Sequence, residues 1–553
     1  METVNTVSEK IKSNVYTVRA PTSKKRSDVW KSLNEIFDSD GNQLLNFVAC
    51  SSCSTVLRYD SKKLGNNHLK AHIDSHKATN SIHRFVTKEK EISSADRSAV
   101  LESFVDFVTL DLRPYNTVNG DGMIRLLQTF MRLGSIHGCL DQKAIQRVLP
   151  SVPTISRHIE SMANEIKTAL CDELKAALLN ERNISITVDL WQDKFKRISY
   201  LGMTSHYYIE INNAIILQDK IICMQPLEPG TVKDADFIRR KIRNKLEDLK
   251  INDFFDKITF ITDRGSNIRK ALNNVQRLNC FPHFLNNIVK AACKIDVVKS
   301  IIDRCKSLVR YFKITGLNNR LPTALISGCD TRFNYIHFTF ESILCNWDKI
   351  DEILRGLNEI SRLQCIVYSE LKAINDYLAI FVEWTKLASA SKKSSLYTLW
   401  IGIHAILQHT AISESDHPIV SLMKVKAFNY IKGKFVLTKL HRFATFLHPS
   451  YKSLKFASLE QVRQTHQELR NEIRPMKAQK CPSDVELDVL QWWNSKRSEF
   501  PKLSKFALNI HSIPGSSIPS ERLFSTSGNV ITEKRSRLNP NSIENILILH
   551  GRS

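Results

Sequence analysis

The chain has 553 residues, 42% of them hydrophobic and 24% charged, a composition that folds and a length that exceeds one small domain. Lys and Arg outnumber Asp and Glu 79 to 56, and the net charge of +23 favours a polyanionic partner, above all nucleic acid. Twelve cysteines are scattered and only Cys50 and Cys53 lie close together, which excludes a disulfide scaffold and fits a reducing compartment with one metal site. Met1–Ala20 is polar, and the apolar stretch around Tyr377–Trp384 is short and broken by Glu383, so neither secretion nor a membrane span is expected.

Residues 1–26 lack hydrophobic periodicity and read as a flexible basic arm that includes the short cluster Lys24-Lys25-Arg26. Residues 27–80 form a small unit of their own. In it Cys50-x-x-Cys53 precedes His72-x-x-x-His76, with eighteen residues between the pairs. Two thiolates on a tight knuckle and two imidazoles one helical turn apart can close a tetrahedron around zinc. His68, one turn before His72, is a rival ligand, and Lys62, Lys63 and Lys70 supply positive charge beside the site. A unit of this size is not expected to fold without its metal.

From 81 to 180 the pattern is helical. Apolar residues at three- and four-residue spacing mark a helix through Val100, Leu101, Phe104, Val105 and Val108, and another through Ile124, Leu127, Phe130 and Met131. After Pro150 and Pro153, Thr154 is the expected cap of a helix running towards Ala177. At Ile184 the period changes to two, and Ile184, Ile186 and Val188 alternate with Ser185 and Thr187 up to Asp189. Strands over Tyr200–Ile209 and Ala214–Met224, a helix over Asp234–Leu249 and a strand from Lys257 to Thr262 ending in Asp263 follow. Residues 299–485 read as amphipathic helices. The whole is a mixed α/β core, 181–298 and 486–553, interrupted by a helical insertion.

Carboxylates at the ends of neighbouring strands can project from one sheet edge and share hard divalent cations, magnesium or manganese, which need few protein oxygens. Asp189 and Asp263 fit that description, although an Asp at a strand end also serves as an ordinary turn or cap residue. Cys280 and His283 have no second ligand pair nearby in sequence, which argues against zinc there.

The words around these residues carry a family resemblance. Asp189-Leu190-Trp191, Thr262-Asp263-Arg264-Gly265-Ser266-Asn267, Cys280-Phe281-Pro282-His283-Phe284-Leu285-Asn286, Trp492-Trp493-Asn494 and Ser520-Glu521-Arg522-Leu523-Phe524-Ser525 stand in the order seen in hAT transposases, most like the hobo and Hermes branch. The finger, with Trp30 and Phe37 ahead of its knuckle, resembles a BED-type zinc finger. The resemblance implies a ribonuclease-H-like mixed sheet core split by an α-helical insertion domain, with Asp189, Asp263 and Glu521 as catalytic metal ligands. It further implies DNA contacts from His283 and Arg332 near the scissile phosphate, and base stacking by the aromatic after Arg332. That position is Phe333 here, where the family has tryptophan, so the stacking face is smaller.

The implied partners are double-stranded DNA, as element terminal repeats and as target, and a second copy of the chain. A dimer or higher homo-oligomer would form through the 81–180 and 486–553 regions. The implied location is the nucleus. The aromatics of 486–553 also read simply as packing against the sheet. Two function classes follow: a cut-and-paste transposase, or a domesticated BED-finger nuclear regulator that binds DNA and dimerises without cutting. The acidic identity of all three site positions favours the first. An RNA-processing nuclease would share the core chemistry but has no use for the BED-like finger.

Overall fold

The computed structural model describes residues 2–21, 28–60, 67–74, 93–138, 141–193, 197–328, 333–390, 392–472, 487–531 and 538–551. They fall into two units, Met1–Val148 and Leu149–Ser553.

In the first unit, four antiparallel strands pair in chain order: β1 (Thr17–Arg19), β2 (Leu33–Phe37), β3 (Gln43–Cys50) and β4 (Val56–Arg58). The two-residue period of β3 divides its side chains between two small cores. Phe47 and Ala49 join Val7, Tyr16, Ile36 and Val56 on one face. Val48 and Cys50 join Trp30, Leu33, Leu69 and Ile73 on the other, the last two from the helical residues 67–74.

The expectation of a flexible arm over 1–26 is corrected for residues 2–21, while 22–26 lie outside the described residues. A helix, Val4–Lys12, starts on a Thr3–Thr6 capping box and buries Val7 completely, and β1 pairs with β2 through Thr17, Val18 and Arg19. Val4, Val7 and Ile11 recur at three- and four-residue spacing and pack into one core, a stripe of three apolar residues too brief to stand out in a polar segment. The expected helices appear as Ser94–Leu110 and Asp121–His137, followed by Gln142–Val148, and none of the three buries a residue.

The second unit opens with the helix Val152–Leu179. Its cap is Ser151, which accepts from the Thr154 N–H, so the expected cap at Thr154 lies inside the first turn. Leu170, Leu174 and Leu178 bury this helix against the sheet, which divides the expected 81–180 region between the two units. The sheet consists of β5 (Ser185–Gln192), β6 (Ser199–Ile211), β7 (Ala214–Pro226), β8 (Thr259–Thr262) and β9 (Arg277–Asn279), in the order β7-β6-β5-β8-β9. Pairs β5–β6 and β6–β7 are antiparallel, and β5–β8 and β8–β9 are parallel. β5 runs three residues past Asp189 because its ladder with β6 continues to Gln192 opposite Ser199.

One face of the sheet, through Ile186, Val188 and Phe260, packs on Val152–Leu179 and on the helix Ala235–Asp248 through Ile238, Ile242 and Leu246. The other face, through Tyr208, Ile261 and Leu278, packs on helices Lys439–Phe446, Val489–Ser495 and Pro501–His511. The helical insertion has a separate core that begins at Phe281 and reaches Ile431. Both limits therefore lie earlier in the chain than the expected 299–485: the helix from Phe281 already belongs to it, and Leu440 and Phe443 are back on the sheet.

Candidate active site

Val188 stands opposite Thr262 in the parallel β5–β8 ladder, so Asp189 and Asp263, each the next residue along, emerge at one level from neighbouring strands. The Asp189 carboxylate accepts the Leu190 N–H at 2.8 Å, and the Asp263 carboxylate accepts the Gly265 N–H at 3.0 Å, which fixes both heads on the backbone that follows them.

Glu521 arrives from the other end of the sequence, in the first turn of the helix Ile518–Val530. Two contacts seat that helix on the sheet. The Ser520 hydroxyl lies 2.8 Å from the Thr187 hydroxyl, which is 3.0 Å from Nε2 of His206, whose Nδ1 is 2.7 Å from the Asp219 carboxylate. One turn on, Phe524 stacks on Trp191 with ring centroids 5.8 Å apart. The same ring occupies the space over Gly202, the β6 partner of Asp189, where a Cβ would meet it at 2.5 Å. Gly202→Ala is accordingly expected to push the Glu521 helix outward, destabilise the fold by roughly 1–3 kcal/mol and depress activity further than the melting temperature accounts for. Thermal melts of Gly202→Ala and of Gly202→Ala with Phe524→Leu check this, the second change restoring stability.

Cys280 immediately follows β9, its N–H donating to the Thr262 carbonyl at 2.8 Å and its sulfur accepting the Ser517 N–H at 3.2 Å. It is the N-cap of the helix Phe281–Ala292, whose first turn carries His283. Nδ1 of His283 is 3.6 Å from Oε1 of Glu521; both atoms are buried, and neither has a hydrogen-bond partner among the described residues. Phe333 meets the His283 ring edge-on, centroids 5.0 Å apart. The structure thus brings together Asp189, Asp263, Glu521, His283 and Phe333, whereas Arg332 lies outside the described residues.

Burial, and then the Asp263 charge, push the Asp189 carboxyl up to about 6, with His283 and the Leu190 N–H opposing. Burial pushes Glu521 up to about 8, reinforced by Cys280, Asp189 and Asp263 and opposed by His283. The three carboxyl groups lie within electrostatic reach of one another, and Oε1 of Glu521 is a buried oxygen without a hydrogen-bond partner among the described residues, which is the chemistry a divalent cation would answer.

A second cluster lies in the first unit. The ligand atoms of Cys50, at the end of β3, of Cys53 and of His72 lie within 4.8 Å of one another, with the Cys53 sulfur 3.3 Å from Nε2 of His72. Contacts with Thr55 first, and then with His72 and Cys50, pull the Cys53 thiol down to about 6. The rival His68 is turned away, its Nε2 2.8 Å from the Arg58 carbonyl. Lys70 is exposed beside the cluster, and His76, Lys62 and Lys63 lie outside the described residues.

Residues 87–154 match the Hermes transposase DNA-binding domain, and residues 468–553 match the hAT family C-terminal dimerisation region. The hobo transposable-element transposase of Drosophila melanogaster is 30% identical over 451 residues, 81% of this chain and 67% of that protein. This chain belongs to the hAT transposase family. The human zinc finger BED domain-containing protein 4 is 22% identical over 542 residues, covering 84% of this chain and 44% of that longer protein.

In this hAT chain the C-terminal region also completes the sheet unit. Ile543 and Leu547 of the helix Pro540–His550 pack with Tyr200 and Met224, and the Glu544 carboxylate accepts the Met224 N–H at 3.0 Å. The Trp493 indole donates to the Leu447 carbonyl at 2.8 Å, so the aromatics of this region serve the packing role that the sequence suggested. Sequence reasoning missed the Asp219–His206–Thr187–Ser520 chain. Its one local signal is a histidine between the apolar stretches of β6, in a run that is buried throughout and where a polar group requires partners.

Proposed function

We propose that this chain is a cut-and-paste DNA transposase that binds the terminal repeats of its element, cleaves DNA, forms hairpins on the flanking DNA and joins the freed 3′ ends to a target, in the nucleus. The observation that carries this reading is the convergence of Asp189 and Asp263 from neighbouring strands and Glu521 from a distant helix into one electrostatically coupled set. Magnesium or manganese held there supplies activation of the attacking water or hydroxyl and stabilisation of the leaving 3′ oxygen.

The chain's own groups orient the substrate. In this reading His283 and Arg332 contact the DNA near the scissile phosphate, and Phe333, which meets the His283 ring edge-on, offers a face to an unpaired base. The sheet order, with antiparallel β6 and β7 on one side and parallel β8 and β9 on the other, supports a ribonuclease-H-like core. The cluster of Cys50, Cys53 and His72 supports a zinc-bound BED-type finger completed by His76. Helices of the first unit leave Leu101 64%, Leu110 81% and Met131 73% exposed, apolar surface that supports burial against a second copy of the chain. No helix among the described residues is long and apolar enough to cross a membrane.

Cleavage of element-end DNA in magnesium or manganese tests the reading. Binding without cleavage in either metal would leave the alternative, a domesticated BED-finger regulator. DNA binding should weaken steeply with salt, since phosphate contacts dominate for so basic a chain, and an affinity flat in salt would contradict this. A strong chelator should strip zinc from the first unit and expose the Cys50–Cys53 knuckle to protease. Protection that survives chelation would exclude a structural zinc there.

A further inference from the structure

We propose that Cys280, His283 and Glu521 form a zinc site beside the carboxylate set, and that zinc bound there holds Glu521 away from the catalytic metals. The sequence offered only the Cys280–His283 pair; the fold adds Glu521 as a third ligand. Their ligand atoms lie within 4.8 Å of one another. Nδ1 of His283 and Oε1 of Glu521 are buried and, at 3.6 Å, too far apart to hydrogen-bond. That separation is close to the roughly 3.4 Å expected between a nitrogen and an oxygen each about 2.0–2.1 Å from one tetrahedral zinc.

The chemistry of the three donors selects the ion. A thiolate and an imidazole bind zinc far better than they bind magnesium, whose ligands are oxygens. Burial pushes the Cys280 thiol up to about 11 and the Ser517 N–H donated to its sulfur opposes this, so the thiol is protonated until a metal binds, and binding would release that proton to solvent. Cys280 and His283 are fixed at the start of one helix, and the Cys280 N–H is tied to β8 by the Thr262 carbonyl. Three protein ligands leave a fourth position for water. Because Glu521 would serve both metals, zinc and magnesium compete for it. The competition rests on the carboxylate reading above, whereas the zinc site itself does not.

The full chain, loaded with zinc and freed of excess by gel filtration, is expected to hold about two zinc ions, one in the finger and one here. Cys50→Ser with Cys53→Ser should leave about one, and adding either Cys280→Ser or His283→Ala should remove it. Cobalt in place of zinc should give the finger-disabled chain a thiolate-to-metal absorption band that Cys280→Ser abolishes. A thermal melt of each variant identifies any that misfolds, and His283→Ala provides the reading if Cys280→Ser does. A finger-disabled chain without zinc, or with zinc that survives both changes, would overturn the proposal. In cleavage assays zinc should slow the magnesium-supported rate at least about tenfold, with the midpoint moving upward as magnesium rises. Inhibition that is indifferent to magnesium would overturn the competition. Absence of any magnesium-dependent cleavage alongside an intact zinc count would instead count against the carboxylate reading.

Discussion

Asp189→Ala, Asp263→Ala and Glu521→Ala are each expected to lower the strand-cleavage rate about 10³-fold or more, because each removes a ligand from a site whose metals supply several kcal/mol of transition-state stabilisation. DNA affinity should be nearly unchanged, since the finger and the helices matching the DNA-binding domain lie in the first unit or at its border. A second readout separates loss of chemistry from loss of fold. Burial and mutual repulsion hold Asp189 and Glu521 above their ordinary values, so the site opposes folding whenever these groups are ionised without a cation. Glu521→Gln and Asp189→Asn should therefore melt at or above the temperature of the metal-free parent while cleaving no DNA. Adding magnesium should raise the melting temperature of the parent but not that of Glu521→Gln. Cleavage at the parental rate by any of the three alanine variants would remove that residue from the site.

How much of this was legible beforehand depended on whether the signal was local. β5 could be read from the alternation of Ile184, Ile186 and Val188 because that face is uniformly apolar against the covering helices. β9 is three residues long, too short to display a period, and exists because Phe260, Ile261 and Thr262 provide a parallel edge for it. The helix Val4–Lys12 was passed over for a similar reason: its apolar stripe is only Val4, Val7 and Ile11, three residues in a polar segment, backed by a capping box.

The site divides in the same way. Asp189 and Asp263 sit where strand patterns end, so the sequence exposed them as candidates. Glu521 was reached only through family resemblance, because what delivers it is tertiary: the Thr187–Ser520 hydroxyl contact and the seating of Phe524 over Gly202 join segments more than three hundred residues apart. No periodicity encodes such a contact. The limits of the insertion slipped for a related reason. Helices packed on the sheet and helices packed on one another have the same amphipathic pattern, and only the partner core separates Phe443 from Ile431.

The layer behind Glu521 predicts a distinct acid response. His441, His448 and His511 are buried where the helices Lys439–Phe446 and Pro501–His511 cover the sheet, and burial pushes them down to about 3, 4 and 3. The imidazoles of His441 and His511 contact neutral hydroxyls, Thr438 at 2.9 Å and Ser394 at 3.0 Å, and His448 packs on the Tyr397 ring at 4.3 Å. Their folded values lie below the unfolded value near 6.5, so the unfolded chain binds more protons as the pH falls. The stability they permit is complete above about pH 6.5 and is lost progressively towards pH 4, at about 1.4 kcal/mol per pH unit for each histidine.

Glu521 and Asp189 run the other way in the metal-free chain. Their raised values add stability as the pH falls from about 8 and about 6, and partly mask the histidines. Magnesium keeps those carboxylates ionised and removes the mask, so acid sensitivity should be steeper with magnesium bound. The measurement is urea unfolding of the full chain, followed through the second unit's tryptophans, at pH 7.5 and pH 5. His448→Gln and His511→Asn should each reduce the stability lost between pH 7.5 and pH 5 by about 2 kcal/mol, whatever they do to stability at pH 7.5. A slope unchanged in both variants would mean that acid unfolds the chain elsewhere. A flattened slope would tie its acid limit to the layer whose following segment, Ser512–Ser517, leads directly into the Glu521 helix.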